Sequence, residues 1–379
     1  MSYLDYQVAQ TPTGLRKILY INWPLVLLLS AVACVGFLML YSVGGGRADV
    51  WAEPQMYRFA VGMVAMFALA FVPMWFWRGV SVLSYVACLL LLVAVELVGD
   101  IGMGAQRWLE FGPLRLQPSE LMKIALVLVL AAYYDLLPLR RVSRPLWVLI
   151  PVALILLPTA MVLKQPDLGT SIMLMAGGGI VMFAAGVSLW YFAAVVGSAV
   201  GLVYAVLKSR GTDWQLLEDY QFRRIDTFLD PSVDPLGAGY NITQAQIALG
   251  SGGWSGRGFM QGTQSRLNFL PEKQTDFIFT VLAEEFGFVG AFSLLMLYTL
   301  IIGFCVFSAL SNRDRFGSLL TIGISGTFFV YFAINMGMVM GLLPVVGSPL
   351  PLVSYGGTAM MILLMGFGMV QSAHVHRPR

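Results

Sequence analysis

Apolar runs of about 20 residues, the length that crosses a bilayer as a helix, recur ten times along the chain. They cover about 22–42, 56–77, 80–99, 119–136, 145–163, 168–187, 188–208, 277–308, 316–343 and 355–373. Polar residues gather between them. The sixth and seventh runs meet at Gly186-Val187-Ser188, where a hairpin with a very short turn keeps the charges consistent. The pattern predicts an all-α polytopic membrane protein, a single integral membrane domain over 1–379. The first run follows Arg16 and Lys17 and lacks a small-residue cleavage site, so it reads as a spanning helix rather than a removed signal peptide.

Charge placement sets the orientation. Short loops on one side carry Arg16, Lys17, Arg78, Arg140, Arg141, Arg144, Arg313, Arg315, Arg377 and Arg379. The other side holds Arg47, Arg107, Arg115 and Lys164, with Arg58 at the edge of the second span. Basic loops stay in the cytoplasm, so both termini are expected there. The long segment 209–276, between the seventh and eighth spans, then faces outward. Loops beyond about 15 residues are usually functional or disordered. This one carries Trp214, Tyr220, Phe222, Phe228, Tyr240, Trp254, Phe259 and Phe269, which predicts an ordered loop packed on the outer mouth. Its stretch 240–249 predicts a short amphipathic helix lying in the interface. Shorter outer loops span 100–118 and 343–354.

Composition narrows the chemistry. Only 11% of the residues are charged, against about 25% in soluble domains, so each ionisable group near a span needs a reason. The net charge of +3 and the lack of a basic run argue against nucleic acid. Cys34, Cys88 and Cys305 sit inside apolar runs without CxxC spacing, which supports neither a disulfide framework nor zinc. The only histidines, His374 and His376, fall in the polar tail, which weighs against histidine catalysis. No nucleotide-binding signature, GxSxG or HExxH is present.

Four polar constellations map to the outer side. In the first, Gly104 to Leu109 is followed by Gln117-Pro-Ser-Glu-Leu-Met-Lys. Pro118, Ser119 and Glu120 suit a helix start. Glu120 and Lys123 suit an i,i+3 ion pair; alternatively, Lys123 and Arg107 present positive charge to an anionic ligand. In the second, Lys164-Gln-Pro-Asp-Leu-Gly-Thr, Asp167 caps the sixth helix, and Lys164 and Gln165 are left for a ligand.

The third constellation is the approach to the eighth span, Glu272-Lys-Gln-Thr-Asp-Phe. Asp276 at the membrane boundary is the first candidate for a working group, because ionisable residues at membrane depth usually mark function. Thr275 or Asp276 could instead cap the helix. Glu284 lies about 12 Å further along and roughly 80° round, so it can extend the same cavity, whereas Glu285 points away and suits a structural ion pair. The fourth, from Gly341 to Thr358, holds three prolines. It predicts a broken, re-entrant stretch, tolerated at membrane depth only where it is buried or lines a cavity. Ser354 and Tyr355 would line a substrate groove.

At these residues the chain resembles the SEDS family (shape, elongation, division and sporulation), and most of all its elongation branch. The resemblance rests on Gly-Ala-Gln-Arg-Trp (104–108), Gln-Pro-Ser-Glu (117–120), Lys-Gln-Pro-Asp-Leu-Gly-Thr (164–170) and Asp-Pro-Leu-Gly-Ala-Gly-Tyr-Asn (234–241). Gly-Thr-Gln-Ser (262–265), Leu-Pro-Glu (270–272), Thr-Asp-Phe-Ile-Phe (275–279) and Pro-Leu-Pro-Leu-Val-Ser-Tyr-Gly-Gly (349–357) add to it. Two departures are Gln274, where a histidine is expected, and Ser348, where a branched apolar residue is common.

The resemblance implies a peptidoglycan glycosyltransferase in the bacterial cytoplasmic membrane, polymerising lipid II on the outer face during elongation. Its partners would be a class B penicillin-binding protein transpeptidase and other elongation-complex membrane proteins. It also implies Asp276 as the essential acid of the Thr-Asp-Phe motif and Trp108 as the motif tryptophan. Substrate contacts are expected from Arg107, Trp108, Glu120, Lys123, Lys164, Gln165, Asp167, Gln264, Glu272, Glu284, Ser354 and Tyr355. A divalent cation, Mg2+ or Mn2+, held through Glu120 or Asp167 is a further expectation. Two rival readings are a lipid II flippase and a non-catalytic scaffold for the transpeptidase. Broken helices also mark carriers, but a carrier needs polar groups lining a path to the inner side.

Overall fold

Among the described residues ten long helices follow one another, each on one of the apolar runs. They are α1 (Trp23–Val43), α2 (Ala52–Ala70), α3 (Met74–Val98), α4 (Pro118–Leu136), α5 (Pro145–Lys164), α6 (Leu168–Ala184) and α7 (Leu189–Ser209), then, after two shorter helices, α10 (Ile278–Leu310), α11 (Arg315–Val339) and α12 (Gly357–Val375). The shorter pair, in the long loop, are α8 (Ala238–Ser251) and α9 (Thr263–Arg266). The computed structural model describes residues 14–377 except for 103–104, 112–113, 213, 217, 219–221, 223–225, 227–228, 231–237, 267–269 and 271. Gly104, Tyr220, Phe228, Phe269, residues 234–237 and Arg379 therefore lie outside the described residues.

Among the described residues seven helices are long and apolar enough to cross a membrane: α1, α3, α5, α7, α10, α11 and α12. Of the other three, α2 carries Glu53 and Arg58, α4 carries Glu120, Lys123 and Asp135, and α6 has 17 residues. Local chemistry sets several starts. Asn22 accepts from Leu25 N at 3.3 Å ahead of α1, and Asp314 accepts from Gly317 N at 3.0 Å ahead of α11, each filling an orphan donor of the first turn. The α6–α7 turn falls at Gly186, whose φ is +95°, as the hairpin reading requires.

Two expectations need correction. The break between the second and third spans lies at Phe71–Pro73 rather than near residue 78, because Pro73 takes an extended conformation and starts α3. Arg78 thus sits in the first turns of α3, paired with Asp135 at 3.1 Å and Asp314 at 3.0 Å. The fold is also not purely helical. Between α3 and α4 the chain forms an antiparallel meander of β1 (Asp100–Gly102), β2 (Ala105–Phe111) and β3 (Leu114–Leu116). Trp108 stands opposite Asp100 and Glu110 opposite Arg115.

The first and last described segments meet at one end of the bundle: Lys17 Nζ lies 2.9 Å from His376 Nε2, and Asn22 N donates to Gln371 Oε1 at 2.9 Å. α7 is exposed along its length, with only Ser209 buried. α8 packs against α10 and α11 through Ile242, Ala245 and Ala248, all buried.

α10 is two helices joined at a break. Gly287 has φ 65° and ψ −159°, a backbone that a residue with a Cβ adopts only under strain. The glycine-rich stretch 252–258 fits into that break. Arg257 N and Gly258 N donate to the carbonyls of Glu284 and Glu285 at 3.0 Å each, and Phe288 N donates to Gly253 O at 2.8 Å. A Cβ on Gly256 would stand 2.1 Å from Glu285 O. The loop therefore satisfies the backbone groups that the break frees, the condition for irregular structure at membrane depth.

Candidate functional site

Asp276 occupies the turn ahead of α10. The helix is preceded by Phe277 and has no side-chain cap, so neither Thr275 nor Asp276 is spent as one. Thr275 closes a turn on Glu272, its N donating to Glu272 O and its hydroxyl to Glu272 Oε2, both at 3.1 Å. Glu272 itself is in the left-handed region, φ 55°.

The broken segment between α11 and α12 docks onto this turn. Ser354 is buried; its Oγ accepts from Leu350 N at 2.7 Å and donates to Thr275 O, and Tyr355 N donates to Gln274 O at 2.8 Å. Asn335 of α11 ties the two strands of chain together. Its amide donates to Asp276 O at 2.9 Å and Ser348 O at 2.7 Å. The Asp276 carboxylate faces Gly347, where a Cβ would lie 3.7 Å from Oδ2. Burial, with the charge of Glu272 added, pushes the Asp276 carboxyl up to about 6. Burial pulls Lys273 below its ordinary value. Asp276 can therefore take and release a proton close to neutrality, which is what a general base requires.

One face of α2 closes the other side of the broken segment. Gln55, fully buried, donates through Nε2 to Ser354 O at 2.9 Å. Trp51 packs edge-on against Tyr355 with centroids 4.7 Å apart, and the Arg58 guanidinium lies 4.7 Å from the centre of the same ring. Positions 51, 55 and 58 share a helical face. Ser354 and Tyr355 are thus held between α2 and the Asp276 turn.

Lys123 does not present its charge to solvent. Its ammonium is buried, 2.6 Å from Glu120 Oε1, and faces the Tyr331 hydroxyl, which in turn donates to Glu120 Oε2. Of the two readings of Lys123, the Glu120–Lys123 ion pair is the arrangement present. Two opposite charges in contact inside the bundle leave little field for a third group. Tyr331 and Asn335 lie one turn apart on α11, about 6 Å along its axis, so this cluster and the Asp276 turn flank the same stretch of helix.

The second constellation is held together more than it is held open. Arg107 donates to Gln165 O at 3.2 Å and to Pro166 O at 2.5 Å, fastening β2 to the α5–α6 turn. Trp108 beside it is half-buried. Gln165 is buried, with Nε2 3.5 Å from Leu92 O. Asp167 caps α6 as expected, accepting from Thr170 N at 3.1 Å and Thr170 Oγ1 at 2.9 Å, while Gln117 Nε2 approaches at 3.4 Å. Lys164 is exposed and 3.8 Å from Glu96; it does not join the Asp276 cluster. Neither carboxylate expected to hold a cation fits one. Both oxygens of Glu120 are taken by Lys123 and Tyr331, both oxygens of Asp167 have donors, and among the described residues no three His, Cys, Asp or Glu side chains group together.

Glu284 serves the loop rather than a cavity shared with Asp276. It is fully buried, and its Oε1 accepts from Thr263 N at 2.7 Å, Thr263 Oγ1 at 2.9 Å and Gln264 N at 3.1 Å, capping α9. Gln264 is fixed there through its backbone N–H, while its side-chain Oε1 is buried without a hydrogen-bond partner. Glu285, expected in an ion pair, accepts instead from the Ser42 hydroxyl.

Residues 19–379 match the FtsW/RodA/SpoVE cell cycle protein family. The chain belongs to that family. It is 44% identical to the peptidoglycan glycosyltransferase MrdB of Escherichia coli (strain K12), over 93% of each chain. Identity to the stage V sporulation protein E of Bacillus subtilis (strain 168) is 33%, over 91% of this chain and 94% of that one. Among solved structures, the Thermus thermophilus rod shape determining protein RodA matches with TM-score 0.70 and 29% identity, covering 95% of this chain and 98% of that one. A chain from a peptidoglycan synthase complex, described as coordinating polymerization and crosslinking, matches with TM-score 0.79 and 32% identity, over 94% and 98%.

In this FtsW/RodA/SpoVE chain, sequence reasoning missed Trp51, Gln55, Arg58, Tyr331 and Asn335. Gln55 and Arg58 had a visible signal, polar groups inside an apolar run. Tyr331 and Asn335 differ from core residues only by a hydroxyl and an amide in the ninth run, and nothing local says what they face.

Proposed function

We infer that this chain is a peptidoglycan glycosyltransferase that polymerises lipid II at the outer membrane face, with Asp276 as general base. The observation that carries the reading is a half-buried carboxyl pushed up to about 6, on a turn whose backbone is clamped between the start of α10 and a broken membrane segment. It occurs in a chain 44% identical to a peptidoglycan glycosyltransferase.

In the proposed reaction an acceptor sugar hydroxyl attacks the anomeric carbon of the lipid-linked donor from the side opposite the pyrophosphate. Its proton passes to Asp276, the new C–O bond inverts the centre, and the old C–O bond leaves its electron pair on the pyrophosphate. Asn335 and Ser354 position the Asp276 turn through its carbonyls, and Tyr355 walls the groove. No step runs through a metal. The ten long helices are taken to cross the membrane with both termini cytoplasmic, following the bias of basic loop residues. This sidedness and an elongation role favour a transpeptidase partner, in keeping with the related synthase complex.

The test is direct: purified protein is given lipid II, and glycan chains are resolved by length, for the natural chain and for Asp276→Asn. Chains from the natural protein and none from the variant support the reading. Movement of lipid II across vesicles without chain growth would instead identify a flippase.

A further inference from the structure

The proposed reaction delivers negative charge as well as a proton. When the anomeric C–O bond breaks, the electron pair stays on the pyrophosphate oxygen. Because the hydroxyl proton goes to Asp276, the leaving group departs with one more negative charge than it had as a diester. A site for that step needs a cation. The basic residues expected to supply it are already engaged: Lys123 by Glu120, Lys164 by Glu96, and Arg107 by two backbone carbonyls.

Arg58 is different. Among the described residues no carboxylate pairs with it. Glu53, the acid one turn earlier on α2, lies with Tyr57 at 3.4 Å. The guanidinium rests on the Tyr355 ring, and its Nη1 is buried without a hydrogen-bond partner. Stacking of this kind fixes the plane of the guanidinium and leaves its edge N–H groups available. The chain also makes room for it. A Cβ on Gly357 would stand 3.1 Å from Arg58 Nε, so the glycine lets α12 begin against the side chain. Tyr355 in turn is bonded to Gln274, two residues from Asp276.

An unpaired cation with an unmet donor is costly within a membrane helix and tends to persist where a ligand completes it. We propose that Arg58 is the residue that binds the pyrophosphate of the lipid-linked donor, holding it on the Tyr355 side of the site whose base is Asp276. The proposal rests on the glycosyltransferase reading above and assigns its leaving-group contact.

The experiment measures lipid II polymerisation and its inhibition by added undecaprenyl pyrophosphate, with undecaprenyl phosphate as a weaker-charged control. It uses the full chain and the variants Arg58→Gln, Arg58→Lys and Asp276→Asn. Arg58→Gln is expected to lower kcat/KM and weaken pyrophosphate inhibition together, each by about 10- to 100-fold, the range for a lost charge-assisted bond. Arg58→Lys keeps the charge and recovers part of the loss. Direct binding of labelled undecaprenyl pyrophosphate should be retained by Asp276→Asn and lost by Arg58→Gln. Unchanged pyrophosphate binding in a folded Arg58→Gln overturns the proposal, as does a fall in melting temperature with no change in KM or inhibition. Polymerisation by Asp276→Asn would instead overturn the base assignment, so the two failures are distinguishable.

Discussion

Replacing Asp276 with asparagine separates the cost of this carboxylate from its use. Its folded pKa is about 6, against an ordinary 3.8. Between those values the native state holds a proton that the unfolded chain has released, so native stability falls as pH rises from 3.8 through 6. A gap of about two in pKa corresponds to about 3 kcal/mol, at about 1.36 kcal/mol for each tenfold step in proton affinity. This ionisation penalty is fully present at pH 8 and absent below the ordinary carboxylate range. Asparagine has a similar shape and no charge. Asp276→Asn should therefore be more stable than the natural protein at pH 8, by up to about 3 kcal/mol, a rise of several degrees in melting temperature. The advantage should shrink as pH drops through 6. Polymerisation should fall at least 100-fold, the lower range for losing a general base, and the natural enzyme should lose activity on acidification with a midpoint near 6. The assays are detergent thermal denaturation over pH 5 to 8 and glycan chain formation from lipid II. A variant no more stable at pH 8 refutes the burial argument, and a variant that polymerises normally refutes the role.

Three further outcomes follow from the packing. Glu120→Gln or Lys123→Met alone should cost about 3–5 kcal/mol by stranding one buried charge, while the double variant should recover much of it; additive losses in thermal unfolding would count against the pair. Gly287→Ala should cost at least about 3 kcal/mol, since its left-handed backbone is strained and a Cβ would stand 2.3 Å from Gly256 N; the yield of folded protein by size exclusion reports it. Glu284→Ala should loosen α9 by leaving the partly buried Thr263 and Gln264 donors unmet, at a cost of about 1 kcal/mol or more in all. Glu284→Gln should be milder because an acceptor oxygen remains, and proteolysis at Arg257 and Arg266 distinguishes the two.

Hydrophobic run length located the ten long helices of the described residues, seven of them long and apolar enough to cross a membrane, where lipid leaves the backbone no alternative to helix. Where the chain departs from that rule the signals were local and partial. Pro73 moved a boundary, and the order of polar and apolar residues in 105–111 lacks the two-residue period that would have marked a strand. The candidate base was also legible, since a carboxylate beside an apolar run is costly wherever it lies. So was the helix-capping Asp167, whose partner Thr170 is three residues away.

What sequence could not decide was which charges remain free. Lys123 reads as a ligand cation or as half of an ion pair, and only packing brings Tyr331 beside Glu120 to complete the ion-pair cluster. Glu284 reads as the wall of a cavity until α9 is seen to hang from it. Arg58, an edge residue in the linear chain, becomes the cation with an unmet donor once α2 is laid against Tyr355. The division has one physical cause. Crossing a membrane and starting a helix depend on neighbours within a few residues, which the linear chain states outright. Neutralisation of a buried charge depends on contacts between residues far apart in the chain, as for Arg58 and Tyr355, and those exist only after the helices have packed.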